Sequence, residues 1–316
     1  MELIRGEHNL RPSHRGCVAT IGNFDGVHLG HQAIFGRLRE RAARLGLPPA
    51  VVIFEPQPNE YFAPERTPSR LTGLRDKLAA LTRCRLDRVL CLRFGAKLAQ
   101  MTPEDFILRI LVEGLGVRYL AVGDDFRFGA ARAGDFRTLV EAGRVHGFAV
   151  EDTPTVSYDG KRVSSTRVRN ALVAGDLVLT RRLLGREYVI SGRVIRGDRI
   201  GRSLGFPTAN IDLRRREPPL HGVFAVRVRG AGSETMIGVA NVGRRPTVGG
   251  MRQLLEVHVF DLSASIYGRH LEVVFEHRIR DERRFASLEA LRAQIARDAE
   301  AARFWFSSRQ TGHPVA

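Results

Sequence analysis

Cys17-Val18-Ala19-Thr20-Ile21-Gly22-Asn23-Phe24-Asp25-Gly26-Val27-His28-Leu29-Gly30-His31 decides the fold of the first half of the chain. Five small or apolar residues form a strand that stops at Gly22. A turn rich in Gly, Asn and Asp follows. Beyond it Ile34, Leu38, Ala42 and Leu45 recur at helical spacing, which predicts a helix over residues 29–47. The alternation then repeats. Apolar runs at 50–54, 88–92 and 119–123 read as buried strands, with a helix between them at 71–81. Another helix starts at Thr102 as N-cap, with Pro103 in its first position. Apolar strands separated by helices imply an α/β domain: a parallel sheet covered on both faces, with ligands bound beyond the carboxyl ends of its strands.

The second half changes period. Residues 187–196, 222–230, 235–242, 254–262 and 270–280 read as strands. Val226 and Val228 alternate with Arg227 and Arg229, as do Leu271, Val273 and Phe275 with Glu272 and Glu276, a pattern broken only by Val274. This is the rhythm of antiparallel strands around a small β-barrel. A final helix is expected from Ser287, with Leu288, Leu291, Ile295 and Ala299 on one face, and residues 307–316 as a frayed tail. The boundary is expected near 184–188, giving domains 1–186 and 187–316.

Composition narrows the function. The chain has 316 residues and a formal net charge of +16. Only Lys77, Lys97 and Lys161 are Lys; the other 47 basic residues are Arg. The excess runs through both halves with only short clusters, such as Arg214-Arg215-Arg216, so it describes a solvated basic surface rather than a nucleic-acid-binding tail. No stretch reaches the length of a membrane span, and residues 1–23 lack the apolar core of a secretory signal. The expectation is a cytoplasmic protein acting on small anionic molecules. Cys17, Cys84 and Cys91 have neither disulfide-framework nor zinc-site spacing and read as small apolar residues.

Four segments carry chemistry in the first half. Gly22, Asn23, Phe24 and Asp25 lead into His28 and His31, which share one face of a helix start. That helix end presents free N–H groups to phosphate, and two imidazoles there can donate to oxygens on which charge builds. Phe54-Glu55-Pro56-Gln57-Pro58 ends the second strand. Gly123-Asp124-Asp125-Phe126-Arg127-Phe128-Gly129 follows the fourth. Lys161-Arg162-Val163-Ser164-Ser165-Thr166-Arg167-Val168-Arg169 places hydroxyls at a helix N-terminus among guanidinium groups suited to polyphosphate.

In this order the four segments resemble the adenylyltransferase module of the bacterial bifunctional riboflavin kinase/FMN adenylyltransferase family, and the resemblance extends over nearly the whole chain. Gly201-Arg202-Ser203-Leu204-Gly205-Phe206-Pro207-Thr208-Ala209-Asn210 looks like its kinase signature. Residues 241–248, 255–261 and 285–298 match further kinase segments. The resemblance implies an N-terminal Rossmann-like nucleotidyltransferase domain and a C-terminal riboflavin-kinase-type β-barrel with a terminal helix. It implies phosphorylation of riboflavin to FMN and adenylylation of FMN to FAD, with ATP and Mg²⁺. His28 and His31 are then expected to stabilise the transition state of adenylyl transfer. Gly22, Asn23, Phe24, Asp25, Asp125, Arg162, Ser165, Thr166 and Arg169 bind ATP, and Phe54, Pro56, Phe62, Phe126 and Phe128 contact flavin. In the kinase, Gly201, Gly205, Pro207 and Thr208 hold ATP, Thr208 and Asn210 hold Mg²⁺, and Glu256 is the general base. No nucleic-acid or membrane partner is implied, and a monomer or weak homo-oligomer is expected. The chain departs from the family pattern at Gln57, where His is common, at Phe224, where Tyr is common, and at Asp125, where some relatives carry Asn. An enzyme with one live module, and an Arg-rich nucleic-acid-binding protein, are the alternatives.

Overall fold

Six parallel strands form the first sheet, in the order β1-β4-β3-β2-β5-β6. They are β1 (Glu2–Arg5), β2 (Cys17–Ile21), β3 (Pro49–Glu55), β4 (Arg88–Arg93), β5 (Val117–Val122) and β6 (Ala149–Asp152). The computed structural model describes residues 1–310 except 124, 154, 198–200, 202–203, 214–216 and 248–249. The arginine run at 214–216, Arg202, Ser203, Asp124 and the last six residues of the expected tail therefore lie outside the described residues.

The inner strands are apolar because helices cover both faces: Val18, Val51, Val52, Ile53 and Leu120 have no exposed surface. Helix α1 (Leu29–Leu45) stops at Gly46, whose φ of 63° gives the left-handed cap. α2 (Pro58–Phe62) and α3 (Leu74–Arg83) follow β3, and α3 begins three residues later than its apolar spacing predicted. After the short α4 (Ala96–Ala99), Thr102 caps α5 (Pro103–Phe106) by accepting the Asp105 N–H at 3.1 Å. That helix continues as a π-helix over Ile107–Gly114. α6 (Phe136–His146) leads into β6.

The strand order reverses at β2: the chain builds β3 and β4 on one side, then returns to place β5 on the other. Such a reversal opens a crevice at the carboxyl ends of the two strands. Residues 22–31 leave β2 there, and residues 123–129 leave β5.

A hairpin of β7 (Ser157–Tyr158) and β8 (Lys161–Arg162) ends this part. The chain divides into two compact units. Residues 1–68 and 77–163 form one, and residues 69–76 and 164–316 form the other. The second unit thus includes α7 (Ser165–Val173) and α8 (Leu177–Leu184), both upstream of residue 187. Its strands are β9 (Tyr188–Ile195), β10 (Ala209–Ile211), β11 (Gly222–Arg229), β12 (Met236–Thr247), β13 (Gly250–Val259) and β14 (His270–Arg280). All pair antiparallel and close into a barrel in the order β10-β13-β12-β11-β14-β9. Val274, which broke the alternation, is buried because α8 packs over β14. Ser287 caps the last helix, α9 (Leu288–Gln310), by accepting the Ala290 N–H at 3.1 Å. Residues 307–310, expected as frayed tail, belong to this helix. Trp305 and Phe306 pack there against a core of Val223, Ala225, Val239, Phe260 and Ala302, which holds the end of the helix down.

Candidate active sites

In the sheet unit, the turn after β2 is wound tightly. Phe24 (φ 45°), Gly26 (φ 83°) and Val27 (φ 45°) all take left-handed backbone, a conformation costly for Phe and Val. His28 caps α1: its Nδ1 accepts the His31 N–H at 3.4 Å, and the two imidazoles stack 3.6 Å apart at 20°. The Phe24 ring stands edge-on to His31 at 5.1 Å. Asp25 and His28 are buried. Gly30 is dictated by this packing. A Cβ there would lie 3.1 Å from the His28 ring and 3.4 Å from the Val163 carbonyl oxygen. Gly22 is crowded in the same way by the Phe24 ring. Stacked imidazoles at a helix N-terminus form a compact donor pair for anionic oxygen.

The expected flavin contacts divide. Phe54 is buried, edge-on to Phe94 at 5.9 Å. Tyr61 and Phe62 are exposed and stand edge-on to Phe94, so an accessible aromatic surface forms beside Pro56, itself exposed. Phe128 instead lies in the core against Phe106, with Phe126 stacked on it at 5.6 Å and half-buried. Asp125 is exposed, with Oδ1 2.8 Å from where a Gly123 Cβ would stand. Gln57 is buried at the start of α2, where its N–H donates to Glu60 Oε2 at 2.8 Å. Arg162 is exposed at the open end of the hairpin, paired with Ser157.

Ser165, Thr166 and Arg169 belong to the barrel unit. Ser164 is the N-cap of α7 and accepts the Arg167 N–H at 3.2 Å, so Ser165 and Thr166 occupy the first two helical positions. Arg169 Nε donates to the Ser69 carbonyl oxygen at 2.6 Å.

The barrel brings together residues far apart in sequence. Glu256 on β13 stands directly opposite Asn210 on β10 and opposite Asn241 on β12. Directly paired residues point to one face, so the three side chains make a row across adjoining strands. The row lines a cavity of about 310 Å³ together with Gly201, Thr208 and Arg283. A second cavity of about 280 Å³ shares Thr208 and Asn210 with it and is bordered by Pro207, Ser263 and Tyr267. Gly201 permits the approach of its loop: a Cβ there would meet the Phe206 carbonyl oxygen at 2.5 Å and Thr208 Oγ1 at 3.2 Å. Gly205 has a φ of 88°. Nδ1 of His258 donates to the Pro207 carbonyl oxygen at 2.9 Å, fixing the strand that follows. Phe224, where relatives often carry Tyr, is fully buried and edge-on to Phe275 at 5.3 Å.

The row and its loop supply hydroxyl, amide and carboxylate oxygens, the donor type of a hard divalent cation that also binds phosphate. Among the described residues no group of three or more His, Cys, Asp and Glu is placed to hold a metal by itself.

Sequence reasoning missed three residues here. Asn241 opens the segment 241–248 that resembles the kinase, but only strand register reveals its place beside Glu256. Phe94 completes the aromatic surface. Lys77 has no exposed surface, and its Nζ donates to the Asn23 carbonyl oxygen at 2.6 Å. The scarcity of Lys in the chain was its one signal.

A phosphate-oriented crevice on a parallel sheet and a twin cavity in a closed barrel define a two-unit nucleotide-dependent transferase. Residues 10–167 match the FAD synthetase family and residues 184–306 the riboflavin kinase family. The chain belongs to the bifunctional riboflavin kinase/FMN adenylyltransferases: it is 56% identical to that protein from Pseudomonas fluorescens, with 96% of this chain and 97% of the relative covered. It is 53% identical to that of Escherichia coli K12, over 97% and 98% of the two chains. A Streptococcus pneumoniae crystal structure described as a macrolide-efflux protein has the same fold, with a TM-score of 0.79, 27% identity and 96% and 99% coverage. In the present chain, no helix among the described residues is long and apolar enough to cross a membrane.

Proposed function

We propose that the chain phosphorylates riboflavin to FMN and adenylylates FMN to FAD, with ATP as the donor in both steps. The row of Asn210, Glu256 and Asn241 along the first cavity carries the kinase reading, because Asn210 and the neighbouring Thr208 also border the second cavity. It places a carboxylate and neutral oxygens near a shared rim, where a phosphoryl donor and a hydroxyl acceptor can meet. Glu256 accepts the proton of the ribityl hydroxyl as that oxygen attacks the γ-phosphorus, whose bond to the β–γ bridging oxygen breaks to release ADP. Thr208 and Asn210 would hold Mg²⁺, which would neutralise phosphate charge. Gly201, Gly205 and Pro207 shape the nucleotide loop.

In adenylyl transfer the FMN phosphate attacks the α-phosphorus of a second ATP and pyrophosphate leaves. His28 and His31 donate to the oxygens on which charge accumulates, and residues 22–25 contribute the backbone of the phosphate turn. Asp125, Arg162, Ser165, Thr166 and Arg169 are assigned to ATP on the motifs that carry them. Phe54, Pro56, Phe62, Phe126 and Phe128 are assigned to flavin, and what supports Phe62 best is the exposed surface it forms with Phe94. Residues 1–186 serve adenylyl transfer and 187–316 phosphoryl transfer. We place the protein in the cytoplasm, acting on small molecules rather than nucleic acid, as a monomer or weak homo-oligomer.

A time course with riboflavin, ATP and Mg²⁺ tests this. FMN is expected first and FAD afterwards. His28→Ala is expected to stop FAD and spare FMN formation. Asn210→Ala is expected to stop FMN formation and spare FAD formation from supplied FMN. Loss of both steps in either folded variant overturns the division of labour.

A further inference from the structure

Lys97 and Lys161 are exposed, as lysines ordinarily are, whereas Lys77 on α3 has no exposed surface. Taking an ammonium group out of water is costly and requires polar partners. One of these is the Asn23 carbonyl oxygen, 2.6 Å from Nζ.

The position of that carbonyl matters. Asn23 precedes Phe24 in the turn where Phe24 and Val27 hold left-handed backbone. Residues without glycine's freedom keep such backbone only when their surroundings fix it. The Asn23–Phe24 peptide is trans, so its carbonyl and the Phe24 N–H point in opposite directions. With the carbonyl turned inward to Lys77, the Phe24 N–H is turned away from it. Among the described residues that N–H donates to no other group. It belongs to the same turn as His28 and His31.

We propose that Lys77 is a positioning residue for adenylyl transfer: by anchoring the Asn23 carbonyl it aims the Phe24 N–H at the triphosphate of the bound nucleotide. This rests on the assignment of adenylyl transfer to the turn at 22–31. Lys77 does not touch substrate. It acts through the peptide it holds, and its charge behind the turn reinforces the field felt by an anion.

The test uses the full chain with Lys77→Met and Lys77→Arg, and with His28→Ala as the check on the underlying assignment. FMN formation from riboflavin reports that the barrel unit is intact. A melting curve reports folding. For Lys77→Met the expected result is a KM for ATP in FAD formation raised at least tenfold. Inhibition by pyrophosphate should weaken by a similar factor, and the KM for FMN should stay within twofold. Lys77→Arg should recover most of the ATP and pyrophosphate affinity. A merely structural role would lower the active fraction, and hence kcat, leaving ATP KM and pyrophosphate inhibition unchanged; that result overturns the proposal. If Lys77→Met does not fold, Lys77→Gln decides. An ATP KM raised threefold or more in the folded protein, with the KM for FMN within twofold, supports the anchor, and any smaller change in ATP KM overturns it. Retention of FAD formation by His28→Ala would instead remove the site assignment, which the Lys77 variants alone cannot do.

Discussion

Gly30 shows how closely a single residue is tied to the chemistry beside it. It sits in the first turn of α1 with ordinary helical backbone, so its lack of a side chain serves space rather than conformation. The His28 ring fills that space. Gly30→Ala would therefore push the ring by a few tenths of an ångström against its stack on His31 while improving helix propensity. We expect FAD formation to fall by up to about tenfold, less than the roughly hundredfold associated with misplacing a reacting group by a full ångström. FMN formation should be unchanged, and the melting temperature should shift little. A flavin time course and a thermal melt on the same preparation check this. Glu256 makes the converse point. By itself it is a strand carboxylate with nothing to distinguish it, and its meaning comes from standing between two asparagines.

Among the elements, those long enough to show a period were legible. β2 and β14 run over the residues their patterns predicted, and β3, β4, β9 and β11 differ only at their ends. β10 escaped because three residues are too few for alternation to register. β1, β6, α6 and α8 were not identified either. β6 is short and half-exposed at a sheet edge, where burial imposes little pattern. Candidate site residues on motifs stood out as residues but not as neighbours: strand register, which no local pattern encodes, sets Asn241 beside Glu256.

Two networks make element-level tests. Asp298 on α9 receives Arg280 of β14 through Nε at 2.9 Å and Nη2 at 2.7 Å, and Gln294 Nε2 adds a third bond at 2.7 Å. The carboxylate is buried, so Asp298→Ala leaves a guanidinium and an amide without their shared acceptor. The expected cost is about 3 kcal/mol. Trp305, the sole tryptophan, lies on α9 and reports the loss by fluorescence in a urea titration. On the sheet, the Tyr119 hydroxyl of β5 donates to Glu151 Oε2 of β6 at 2.7 Å, and Arg41 of α1 binds the same oxygen at 3.0 Å. Burial, followed by the adjoining carboxylate, pushes the Tyr119 pKa up from 10.0 to about 12. The folded state thus prefers the protonated phenol. Its contribution to stability is complete below pH 10 and is lost as pH rises from there to about 12. Urea midpoints measured across that window should decline less steeply for Tyr119→Phe than for the native chain.

At the scale of the molecule, the compact units part at 163/164, upstream of the boundary at 184–188 expected from the sequence. The family matches leave residues 168–183 between them, and these residues run from α7 through a short turn into α8. α8 packs on β9 and β14 and buries Leu183 and Leu184 completely. A barrel fragment starting at 187 therefore loses two buried leucines, worth about 3–6 kcal/mol by transfer. One starting at 164 keeps them. Thermal melts of the two fragments should place the longer one clearly higher, and equal melting would show that α8 adds nothing to the barrel.

Barrel closure also fixes an order of events during synthesis. β9 is made first among the barrel strands, and its partner β14 is made last. While the ribosome works through β10 to β13, β9 has no mate on one side. Parallel-sheet strands, in contrast, are all in hand by residue 152. The nascent chain thus passes through a stage with a finished sheet and an open, unpaired strand edge, the kind of surface that chaperones cover and neighbouring nascent chains can join. The segment at 69–76 waits longest of all, since the unit it belongs to resumes only at residue 164. Ribosome pausing between residues 259 and 280 should be the most hazardous moment in the life of this protein.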